Sequence, residues 1–255
     1  MQSVDLNSDM GEGFGPWRMG DDAALLDIVT SANIACGGHA GDPGTMARTM
    51  ALARTRGVGI GAHPGFADLQ GFGRRRMSLS EEELGNLVAY QFGAARGIAA
   101  RLGAKVSHIK LHGALGNMAS EDAGIARTCF AAALTLDPDV IVMVMATTAQ
   151  ERAARELGCA WAGEIFADRA YTDAGTLVDR SQPGAMIDDP AEVGPRIEAM
   201  IRAGAILTAS GRRLPCRIDT VCLHGDGPDA VVVARALHDH LTAAGIAPTA
   251  LRANT

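Results

Sequence analysis

The chain has 255 residues, 47% hydrophobic and 20% charged, which is the make-up of a globular protein and not of a disordered or fibrous one. A formal net charge of −6 argues against a nucleic-acid partner, because phosphate contacts need a positive face. The most apolar run, VIVMVMA at 140–146, falls short of the roughly 18 residues that a membrane-spanning helix needs.

In chain order, short apolar runs predict strands over 3–7, 31–36, 58–62, 107–111, 140–145, 160–165 and 220–224. Helical patterns lie between and after them, near 21–30, 43–56, 80–103, 121–135, 148–157, 190–208 and 228–243. Ser80 before Glu81–Glu83 and Ser120 before Glu121–Asp122 read as N-caps, and Pro190 suits a first helical turn. Gly57 and Gly103 read as helix stops. Strands separated by helices imply parallel βαβ units, and no Pro/Ser-rich linker divides the series, so a single domain over 1–255 is expected. The stretch 166–188 is long for a connection, and loops of that length are often functional.

Seven such units fit either an open doubly wound sheet or a closed barrel. The open sheet would favour a GxGxxG turn after the first strand, whereas GEGFG at 11–15 has different spacing. A barrel predicts polar groups at the C-terminal ends of many strands, facing one mouth. The chain supplies Asp5, Asn7 and Asp9, then Asn33 and His39, His63, Lys110 and His112, Glu164, Asp168 and Arg169, and His224 with Asp226. The expected fold is therefore a seven-stranded (β/α) barrel, TIM-barrel-like. A lone histidine is more often structural than catalytic. Four of them, each just past an apolar run and beside glycine or proline, weigh against that for His39, His63, His112 and His224. His108 starts a strand at the opposite end and is expected to have no role. His238 and His240 belong to the last helix. Five cysteines without CxxC spacing read as reduced thiols, and no signal peptide is visible, so a cytoplasmic protein is expected.

The segments DLNSDMGEGFG (5–15), NIACGGHAGDP (33–43), GAHPGFADLQGFGRR (61–75), KLHGALGN (110–117), EIFADRAYTDAGTLVDR (164–180) and LHGDGP (223–228) resemble the LamB/YcsF family, that of the 5-oxoprolinase A subunit. The likeness runs through nearly the whole chain. It implies a barrel of the glycoside hydrolase/deacetylase type and ATP-dependent opening of 5-oxo-L-proline (pyroglutamate) to L-glutamate, performed with two partner subunits. Gly38, Leu111 and Gly116 depart from the residues common in the family, which bears on substrate choice.

On this reading Asp9, His63, Lys110, His112 and Asp168 are the catalytic candidates. Carboxylates and imidazoles can move protons, and Lys110 can neutralise developing charge. Asn7, Gly13, Asn33, His39, Arg74, Arg169 and His224 are the candidates for holding ATP or the substrate. No GxxxxGK[ST] occurs, so phosphate would be met by arginine, lysine or glycine amides. Two rivals stand beside this. One is a metal-dependent amidohydrolase or deacetylase, with a divalent cation on His39, His63 and an Asp near 5–9; no HxH or HExxH accompanies it, and it is not favoured. The other is a non-catalytic subunit that holds ligand for a partner.

Overall fold

In the computed structural model, described over residues 2–187, 189–225 and 229–251, the elements in chain order are as follows. They are β1 (Gln2–Met10), α1 (Asp22–Leu25), β2 (Ser31–Ala35), α2 (Pro43–Arg56), β3 (Gly59–His63), α3 (Glu81–Arg101), β4 (His108–Lys110), α4 (Gly113–Glu121) and α5 (Ala123–Leu136). There follow β5 (Ile141–Met145), α6 (Ala149–Leu157), β6 (Trp161–Phe166), α7 (Pro190–Ala203), β7 (Ala205–Leu207), β8 (Arg213–Pro215), β9 (Thr220–Leu223), α8 (Ala230–Ala243) and β10 (Ile246–Pro248).

Seven parallel strands close on themselves in the order β1-β2-β3-β4-β5-β6-β9, with β9 pairing back onto β1. This is the seven-stranded (β/α) barrel that the alternating pattern predicts. All seven expected strands are present. β10 adds to the N-terminal end of β1, and β7 and β8 form a small antiparallel ribbon beside the barrel; neither was anticipated, because three-residue strands carry too little pattern. The expected helix over 190–208 stops at Gly204, which adopts φ +57° and turns the chain into β7.

Local chemistry explains the helix ends. Asp42 accepts from the amides of Gly44 and Thr45 with Pro43 in the first turn, and Ser80 and Glu83 form a reciprocal capping box. Ser120 does not cap: it lies inside α4 and donates to the Asn117 carbonyl, while Asp122 caps α5. The pattern 121–135 therefore hid a second helix, α4, running straight out of KLHG.

Alternation along the strands sorts the interior. In β1, Val4, Leu6 and Met10 join the hydrophobic core, while Asp5, Asn7 and Asp9 are buried in polar contacts across the barrel. Ser31, Asn33, His108, Lys110, Glu164, Thr220 and Cys222 are buried in the same way. The barrel interior is thus largely polar, where branched aliphatic residues are usual. It is also hydrogen-bonded throughout: Asp5 accepts from Thr30, Ser31 and Thr220, and Asn33 donates to Asn7 and Asp9. Burial still raises the Asp5 carboxyl above its ordinary value, against those three hydroxyls. Gly61 is fixed by this interior, since a Cβ there would stand 2.0 Å from the His108 ring.

Candidate active site

At the C-terminal ends of the strands opens a cavity of about 550 Å³. Lys110 lies at its floor. Its ammonium sits 2.8 Å from Glu164 Oε1, 3.0 Å from Asp9 Oδ1, 3.2 Å from Asn7 Oδ1 and 3.0 Å from Cys222 Sγ. Burial opposes this charge, but Asp9 and Glu164 outweigh it, and the ammonium is held well above its ordinary value. Asp9 answers in kind: burial opposes ionisation, His63 and Lys110 favour it more, and its carboxyl is held well below the usual range. Ile109 is buried in the hydrophobic core while Lys110 faces the axis, as strand alternation requires.

One wall is a group of histidines. His63 ends β3, and His112 begins the turn into α4. His63 Nδ1 lies 2.8 Å from the Lys110 carbonyl, to which it donates, and its Nε2 points at Asp9 Oδ2, 3.3 Å away. His112 Nε2–H donates to the Phe72 carbonyl at 2.8 Å, which leaves its Nδ1 bare, 3.0 Å from His63 Nε2. Phe72 holds a left-handed backbone with φ +53°, a conformation a non-glycine residue adopts at a cost; it aims that carbonyl and packs its ring against His39 and His112. The His39 ring stacks on His112 with centroids 3.5 Å apart. Burial lowers all three of His39, His108 and His112, the last two to about 3.

The opposite wall comes from β6 and the loop after it. His224 donates to Asp168, with distances of 2.7 and 3.0 Å to its two oxygens, and this pairing overcomes burial to lower the Asp168 carboxyl. Arg169 donates to the Val178 carbonyl, and burial together with neighbouring Arg180 lowers its guanidinium. Arg74, Arg169 and Arg180 line the cavity, giving it a cationic rim over a floor whose charges are already paired.

Of the expected residues, Asp9, His63, Arg74, Lys110, His112, Arg169 and His224 line this cavity. Asn7 and Asn33 lie beneath it and orient Asp9 and Lys110; Asp168 stands behind His224, and His39 behind His112. Gly13 is elsewhere. It lines a smaller apolar hollow, and its missing side chain accommodates the Trp17 carbonyl, 2.7 Å from where a Cβ would be. Asp226 lies outside the described residues. Asp5 is at the barrel's other end and does not pair with Lys110. His108 has a place after all: it is fully buried and donates to Asn33 Oδ1 at 2.8 Å, supporting the residue that holds Asp9. Glu12 and Cys222 were not among the residues expected at the mouth, and Glu164 was expected there without an assigned role. Glu164 was recognisable as a carboxylate ending β6; Glu12 was masked by the glycines around it. Of the three departures from the family pattern, Leu111 and Gly116 line the cavity, whereas at Gly38 the Gln91 side chain fills the space a side chain would need.

A family model described as the LamB/YcsF family matches residues 4–255. The chain is 63% identical over 250 residues to the A subunit of 5-oxoprolinase from Ruegeria pomeroyi, covering 98% of this chain and 99% of that one. It is 53% identical over 247 residues to the protein of the same name from Azorhizobium caulinodans, covering 97% and 98%. Among solved structures, the lactam utilization protein from Thermus thermophilus superposes with a TM-score of 0.92 at 41% identity, covering 98% of this chain and 100% of that one.

Proposed function

Since this chain belongs to the LamB/YcsF family, we propose that it is the A subunit of a 5-oxoprolinase, acting with partner subunits in the ATP-dependent opening of 5-oxo-L-proline to L-glutamate. One observation carries the reading beyond the names of its relatives. The pocket sets a buried ammonium between two carboxylates at its floor and arginines at its rim, so a small anionic amide meets fixed charge at both ends.

A five-membered lactam is a poor electrophile. Transfer of the terminal phosphoryl group of ATP to the lactam oxygen leaves ADP and an activated imidoyl phosphate. Water then adds to the ring carbon, the C–N bond breaks with its electrons and a proton going to nitrogen, and glutamyl phosphate remains. A second water releases phosphate and glutamate. Asp9 takes the proton of the attacking water, steadied by Lys110 on one oxygen and His63 on the other. Lys110 and the preorganised donors around it oppose the negative charge that develops at the ring oxygen. Arg169 and Arg74 face the substrate carboxylate or the phosphate, for which the guanidinium fork is suited.

The test is glutamate release from 5-oxoproline and ATP, measured with the chain alone and with its partner subunits. Release that needs both ATP and partners is expected. Ring opening by the chain alone without ATP, or no glutamate from the assembled complex, would overturn the assignment.

A further inference from the structure

We propose that Glu12, His39, His63 and His112 form a binding site for one divalent cation of the zinc class in the wall of the mouth. This inference rests on ligand geometry and not on the reaction above.

Each imidazole of the His63–His112 pair sets one ring nitrogen against a backbone carbonyl, and the two remaining nitrogens face one another at 3.0 Å. Two ring nitrogens at that distance repel unless a cation or a proton lies between them. Histidines whose outer N–H is fixed by a carbonyl, with the inner nitrogen left bare, are the usual arrangement around a bound metal. Glu12 brings negative charge to the same point: its Oε1 is 3.6 Å from His39 Nε2 and 4.0 Å from His112 Nδ1. One donor atom from each of the four residues falls within 4.8 Å of all the others. Tetrahedral zinc with bonds of roughly 2.0–2.1 Å sets its ligand atoms roughly 3.3–3.4 Å apart, within the range seen here.

His39 is a second, independent sign. It is 1% exposed, and neither ring nitrogen makes a hydrogen bond within the described residues. A buried polar group left so is costly without an occupant to answer it. The His39 and His112 rings are within 4° of parallel, so both can offer in-plane lone pairs to one ion only if one ring tilts. His39 is thus the ligand whose loss should matter least.

The other group of potential ligands, Asp9, Cys222 and His224, is different. There the Lys110 ammonium already sits 3.0 Å from both Asp9 and Cys222, so a cation is in place. Three imidazoles and one carboxylate favour zinc-class ions over magnesium or calcium, which prefer all-oxygen sites. An ion there would lie beside Asp9, whose Oδ2 is 3.3 Å from His63 Nε2.

The experiment uses the full chain, stripped with chelator, dialysed, and titrated with Zn²⁺ and Co²⁺ in the absence of substrate, ATP and partners. We expect one equivalent of Zn²⁺ to be retained and Co²⁺ to develop the visible bands of low-coordinate geometry. His63→Ala and His112→Ala should lose the ion. Glu12→Gln, which preserves side-chain volume, should weaken binding at least as much as the roughly 10- to 100-fold loss caused by removing an outer-sphere partner. His39→Ala should weaken it less, and His238→Ala, at a half-buried position on the last helix away from the mouth, should bind as the parent does. If an alanine variant fails to fold, Glu12→Gln and the parent's Co²⁺ spectrum decide. Substoichiometric zinc in the parent, affinity unchanged in Glu12→Gln, or a proton found shared between His63 and His112 in metal-saturating solution overturns the site. Since no turnover is read, these outcomes are separate from success or failure of the proposed reaction.

Discussion

Replacing Lys110 with methionine keeps much of the side chain's length and removes its charge. The ammonium stands 2.8 Å from Glu164 and 3.0 Å from Asp9, and Lys110 and Glu164 are 5% and 3% exposed. At an effective dielectric of about 20, each contact is worth roughly 5–6 kcal/mol before desolvation. Most of that offsets the burial of the ions, and breaking a buried pair by removing one partner is destabilising by about 3–5 kcal/mol. For a chain of this size that is a fall in melting temperature on the order of 10 °C. The damage comes from two carboxylates left without a cation, so it should be partly relieved by neutralising one of them. Lys110→Met with Glu164→Gln should recover a large part of the lost stability, yet stay roughly 100-fold or more below the parent in ATP-dependent glutamate formation by the assembled complex. Urea unfolding of the parent, single and double variants gives the first quantity, and glutamate release gives the second. A double variant no more stable than Lys110→Met would refute the electrostatic reasoning; near-normal turnover in a folded Lys110→Met protein would return the lysine to a structural role.

Gly61→Ala places a methyl 2.0 Å from His108 Nε2, so the ring must leave Asn33; we expect destabilisation of about 1–3 kcal/mol in urea melts, and parent-like stability would show that the interior yields more easily than its hydrogen bonds imply. His108, depressed to about 3 by burial, stays neutral in the fold while the unfolded chain takes up a proton there near pH 6.5. Its contribution is therefore complete above pH 6.5 and declines as pH falls toward 3, by about 1.4 kcal/mol per pH unit; unfolding free energies measured at pH 7.5, 6 and 5 should show it, and a flat profile over that range would count against a neutral buried ring.

Short apolar runs broken by helical patterns were enough to locate seven strands, because most of them end at or near glycine, proline or a helix cap. The same logic placed polar strand termini at one mouth, and Asp9, His63, Lys110 and His112 do converge there. What stayed hidden depends on long-range pairing. The residues flanking Lys110 do not reveal that its counter-ions come from β1 and β6, or that Asp5, two steps of alternation nearer the N-terminus than Asp9, points to hydroxyls instead. α4 was missed because glycine at its first position and again at Gly116 weakens a helical pattern, though the Gly116 hydrogen leaves room for the Leu111 carbonyl 2.7 Å from where a Cβ would be.

His108 shows why position along a strand does not divide structure from function in this barrel. It lies at the far end of β4, away from the cavity, yet a continuous set of hydrogen bonds leads from it to Asn33, from Asn33 to Asp9, and from Asp9 to Lys110. An aliphatic interior would hold the strands together equally well but could not fix the direction of a carboxylate. The polar interior does both, since Asp9 can accept from Asn33 and Lys110 on one oxygen while its other oxygen faces His63. Such a network is stable only when every member is satisfied. A substitution deep in the barrel should therefore register at the mouth as a misdirected Asp9, and the chain's stability and its chemistry rest on the same bonds.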